Sequence, residues 1–118
     1  AITQIYIGET QWRDLSPLMK RIAQVVTKRP DVSAKHLREA DYELCARAAA
    51  LATYHLNRAW LDPVLRSIEQ RRDPADNPWA HFRSLLIAES EKRGNKFHSL
   101  EALVEVPKRE QPVEGTHV

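Results

Sequence analysis

Cysteine occurs only once in the chain, at Cys45. A lone thiol rules out an intrachain disulfide and a zinc site built on several thiolates, and the expected location is a reducing compartment, the cytoplasm. Glycine is nearly as scarce, limited to Gly8, Gly94 and Gly115. A glycine-rich phosphate loop is therefore excluded, as is a G-x-S-x-G nucleophile elbow. The longest apolar run, Ala48 to Ala52, falls far short of the ~20 residues that cross a bilayer, so no membrane partner is expected. No C-x-x-C pair or H-E-x-x-H helix is present, and His36, His55, His81, His98 and His117 are too scattered to share a helical face. Neither a metal nor a cofactor is expected, and an enzyme of unidentified type ranks behind every binding role.

What is present points to helices. Ala, Leu, Arg and Glu are abundant, the apolar share is 42% and the charged share 29%, a composition typical of one soluble globular domain. Residues 1–106 are read as that domain and residues 107–118, polar and proline-bearing, as a flexible tail. The first residue is Ala rather than Met, which fits a processed chain or a piece of a larger protein. Ser16-Pro17 opens a helix with a capping serine and a proline at its first turn, and Leu15, Leu18, Met19, Ile22, Val25 and Val26 give it one apolar stripe up to Lys28. Asp31 or Ser33 is expected to cap a second helix running to about Asn57, with Leu37, Ala40, Leu44, Ala48, Leu51 and His55 on one side. A break at Asp41-Tyr42, which would give a helix-turn-helix unit, is disfavoured because no glycine occupies the turn.

Asp62-Pro63 and Asn77-Pro78 repeat the same opening for a third helix, ending at Arg71-Arg72, and a fourth, closed by Lys92-Arg93-Gly94. Leu65, Phe82 and Leu86 complete the expected core. Within "NPWAHFRSLL" the Trp79, Phe82 and Leu86 spacing makes a buried stripe the main reading and an aromatic binding groove the lesser one, with His81 a satisfied boundary residue. Ile2 to Ile7 suits a short strand or an arm. Its partner would be residues 102–106, which read equally as helix or strand. The fold class is thus all-α or nearly so: a compact bundle of four to five helices with a short N-terminal strand or arm.

Function has to be sought in the charges. The formal charge is +2 and the pI about 8.9, so placement matters more than the total. No acidic residue lies between Arg21 and Pro30, giving the first helix a basic polar side. Arg13, Lys20, Arg21, Lys28, Arg29, Lys35 and Arg38 form the expected nucleic-acid-binding surface, holding DNA or RNA through phosphate contacts. Arg71, Arg72 and Arg83 suggest a second patch. Glu39, Asp41 and Glu43 read as a solvated face rather than a metal site, and Cys45 as a small buried hydrophobe rather than a nucleophile paired with His36. The leading expectation is a non-enzymatic intracellular binding module associated with nucleic acid. The alternative is a protein-docking or self-associating module that uses the N-terminal strand.

Overall fold

The computed structural model describes residues 5–108. Its helices are α1 (Glu9–Asp14), α2 (Ser16–Thr27), α3 (Glu39–Tyr54), α4 (Arg58–Gln70), α5 (Pro78–Lys92) and α6 (Phe97–Glu101), with a 3-10 turn over Ala34–His36. The all-α architecture is the expected one: four long helices carry it. Of these, α2 and α4 are central, each packing against the other three. Leu15, Met19, Ile22, Ala23 and Val26 recur at helical spacing and are all buried on the inner side of α2. Leu18 and Val25, assigned to the same core by periodicity, are only half-buried because they lie on the shoulders of that stripe. On α3, Ala46, Ala48, Ala49, Ala50 and Ala52 are buried; their small side chains let neighbouring helices approach closely.

The helix α2 starts at Ser16 as expected, but one cap and two boundaries differ from the sequence expectation. Ser16 forms no side-chain cap, since α2 continues directly from α1 through Leu15, whose carbonyl accepts from Met19 N at 2.9 Å. The second predicted helix does not begin at Asp31 or Ser33. Leu37 and Arg38 are extended, Leu37 is buried, and α3 runs unbroken from Glu39, with Glu39 and Asp41 at its positive end. Ala40 and His55 are exposed rather than part of the apolar side. Finally, α4 opens well before Asp62-Pro63, where Asn57 accepts a hydrogen bond from Ala59 N at 2.8 Å. The earlier start buries Trp60 and Leu61 and leaves Pro63 inside the helix. Proline has no N–H to offer the Ala59 carbonyl four residues back. Arg93 Nη2 donates to that carbonyl instead, at 2.8 Å.

The start and end of α5 follow expectation: Asn77 caps Ala80 N at 3.2 Å, and Gly94 takes a left-handed conformation with φ 78°. Within it, Trp79, Phe82 and Leu86 are buried, and the Trp79 and Phe82 rings meet edge to face at 5.7 Å. That stripe is core rather than groove. Ser90 is also fully buried; its hydroxyl accepts from the Trp60 indole N–H at 3.0 Å and donates to the Leu86 carbonyl at 2.8 Å. The Trp60 ring stacks on Phe97 of α6 at 6.3 Å, and Arg83 lies 5.1 Å from the centre of the same Phe97 ring.

At the edge of the bundle Ile5 and Val104 form one isolated parallel bridge, with Ile5 N donating to Leu103 O at 2.7 Å. The pairing partner is the expected one, but among the described residues it amounts to a bridge and not a strand. Residues 102–106 are neither a helix nor a regular strand, for α6 ends at Glu101. Residues 2–4 of the predicted strand, and the predicted tail from residue 109 onward, lie outside the described residues.

Candidate nucleic-acid interface

Of the seven cations named from the sequence, four are engaged by groups of the protein itself. Arg13 is held by Glu9 at 2.9 Å, Arg29 by Asp31 at 3.8 Å and Arg38 by Asp41 at 3.3 Å. Such exposed pairs contribute little to stability, yet they place a carboxylate where a phosphate would have to sit. Lys28 has moved further from its expected role. It takes a left-handed backbone conformation (φ 56°) after α2, and its Nζ donates to the Ile68 carbonyl near the end of α4 at 2.8 Å. A cation at that negative helix end is a structural contact between helices. Gln24, on the same polar side, is likewise used internally, donating to Pro30 O at 2.7 Å.

Lys20, Arg21 and Lys35 remain, all exposed and without an ion-pair or hydrogen-bond partner among the described residues. Successive residues of a helix point about 100° apart, so Lys20 and Arg21 diverge around α2. Arg21 borders a shallow cleft with Asp14, Tyr54 and Arg58, and Arg58 is itself paired with Asp62 at 3.5 Å. Lys20 faces the other way, into a groove of about 380 Å³ that it shares with Lys35, Trp12, Met19, Tyr42 and Pro107. The groove is thus assembled from α1, α2, the 3-10 turn and α3. The chemistry of its lining is two ammonium groups over an aromatic and thioether floor.

Trp12 and Tyr42 had no part in the sequence-based site. A signal for Trp12 was nevertheless present: Trp12, Leu15, Met19 and Ile22 continue the three-and-four spacing backward past Ser16, putting the indole at the end of the apolar stripe. The expected second patch does not form around Arg83, which makes a two-pronged contact with Glu101, the Nη2 to Oε1 distance being 2.9 Å. That contact, ahead of a smaller opposing effect of burial, pushes the Arg83 pKa up and keeps the guanidinium charged. Arg71 is turned onto the Asp73 carbonyl at 3.3 Å. Among the acids, Asp41 faces Arg38 and Glu43 lies 4.0 Å from Arg47. No group of three or more His, Cys, Asp or Glu side chains among the described residues is placed to hold a metal ion, and no helix there is long and apolar enough to cross a membrane. Comparison with protein-family models, curated proteins and solved structures finds no match to this chain.

Proposed function

We propose that the protein is a non-enzymatic, cytoplasmic binding module that associates with nucleic acid through phosphate contacts. The observation that carries this reading is the meeting of Lys20 and Lys35, brought from α2 and from the 3-10 turn into one groove, with no ion-pair or hydrogen-bond partner for either charge among the described residues. A carboxylate paired with either would have neutralised it. Instead they present two strongly hydrated donors, the kind of group that displaces condensed counterions from a polyanion. Arg21 adds a third contact for a strand that crosses α2.

Titration with fluorescent oligonucleotides across a salt series tests the reading. Lys20→Gln and Lys35→Gln should each weaken binding to every sequence and make the log–log salt slope shallower by roughly 0.7–0.9 for each phosphate no longer neutralised. Arg13→Gln, Arg29→Gln and Arg38→Gln, which remove cations already paired, should change the slope far less. Absence of binding at low salt would overturn the proposal.

A protein-docking role is the second reading, favoured by one feature. Tyr6 is 87% exposed beside the isolated Ile5–Val104 bridge, and an extended edge with one bridge among the described residues is a template for another chain. Sedimentation of the full chain, with and without Tyr6→Ser, distinguishes self-association from a monomer.

A further inference from the structure

Trp12 and Pro107 each line two depressions. On one side lies the lysine groove. On the other is a cleft of about 660 Å³ bordered by Ile5, Tyr6, Ile7 and the carboxylates Glu9 and Glu105. The two adjoin at these shared walls, and the trough they make is lined by Tyr6 in one lobe, Tyr42 in the other and Trp12 in both. Tyr6 offers a nearly naked ring; Trp12 and Tyr42 are half-buried and thereby fixed in place.

We infer that this trough takes a short stretch of single-stranded nucleic acid in preference to a duplex, an inference that rests on the nucleic-acid reading above. Charge decides which way the strand faces. Lys20 and Lys35 attract phosphates to one lobe, while Glu105 repels them from the other, where Glu9 is offset by Arg13, so the backbone runs on the lysine side and the bases turn toward Trp12 and Tyr6. Unpaired bases have free faces to stack on aromatic rings, and such stacking is sequence-tolerant because every base has one. A duplex has no such faces to give. It also needs cations spread along both its phosphate rows, whereas Arg21 diverges to the far flank of α2 and Arg13, Arg29 and Arg38 are paired within the protein. Carboxylates in the aromatic lobe can in turn accept hydrogen bonds from exocyclic base amines, a group that a base-free polyanion lacks.

The experiment compares, with the full chain at low salt, a single strand, a duplex and an abasic strand of equal length. The single strand should bind about tenfold or more tightly than the other two, a difference of about 1.4 kcal/mol. Trp60 and Trp79 are buried, so quenching of indole fluorescence by the single strand would report Trp12. Tyr6→Ala, at a site too exposed to disturb the fold, should cost about fivefold or more on the single strand, the lower end of base–aromatic stacking, and leave the abasic strand unchanged. Trp12→Leu should do the same, with its fold checked by circular dichroism. Equal affinity for all three ligands, together with no effect of Tyr6→Ala, would overturn the single-strand inference while leaving phosphate contact standing. Failure of all three ligands to bind would overturn both.

Discussion

Cys45 packs against the main chain of α2, its thiol directed at the Met19 carbonyl 3.3 Å away, and no part of it meets solvent. Burial withdraws the water that would stabilise a thiolate and pushes the thiol from an ordinary 9.0 up to about 12. Well below pH 9.0 the folded and unfolded chains both keep the proton, and the shift is silent. Above that, the unfolded chain releases its proton while the folded chain holds it, so stability falls as pH rises toward the folded value. Cys45→Ala should therefore lose less stability than the parent between about pH 8 and about pH 10.5, measured as urea midpoints. Parallel losses would clear the thiol of responsibility. The hydrophobic character of this residue was legible from its alanine-rich setting, since neighbours on the same helix share its environment. His81 was not: its Nε2 is buried with no hydrogen-bond partner among the described residues, where position on the helix had suggested a satisfied boundary group. What surrounds a ring nitrogen is decided by other elements, and the periodicity of one helix does not encode them.

Among the elements, α4 and α5 depend on each other through Pro63. Arg93 bonds to Glu89 of α5 at 3.2 Å and reaches across to the Ala59 carbonyl that the proline leaves open. Pro63→Ala restores an N–H to α4 and gives that carbonyl a second donor. Arg93→Ala should then cost less in the Pro63→Ala background than in the parent, with a coupling of about 0.5 kcal/mol or more in a double-mutant cycle. Strict additivity would mean that the two residues stabilise their helices independently. The same helices show why element starts were harder to read than element types. Asn57 and Asp62-Pro63 are both good openings by local chemistry, and the choice between them is made by Trp60, whose indole finds Ser90 and Phe97 only if the helix begins at the earlier signal. Leu37 is the complementary case. It falls in register with the α3 stripe, yet burial in the extended connection satisfies it equally well.

Across the whole molecule, the basic surface read from the sequence was half legible. The absence of acids between Arg21 and Pro30 correctly located exposed Lys20 and Arg21, because partners on the same helix are visible in its own sequence. Glu9, four residues before Arg13 on α1, Asp31, two after Arg29, and Asp41, three after Arg38, are local partners that the acid-free stretch left out of view, whereas the Ile68 carbonyl that takes Lys28 comes from another helix and is supplied only by the fold. The groove aromatics come from α1 and α3, and no single element contains them together with the lysines. The central position of α2 has a further consequence, in the time domain. A helix packed against each of the other long helices, as α2 is, is expected in the folding nucleus, whereas the Ile5–Val104 bridge joins residues far apart in sequence and is entropically costly to close before the bundle exists. Ile22→Val, worth about 1 kcal/mol by the loss of one buried methyl group, should slow refolding with little change in unfolding. Val104→Ala should do the opposite, raising the unfolding rate of a chain that still collapses around α2 at its usual speed. Stopped-flow measurements on both variants would separate the element that starts the fold from the contact that fastens it last.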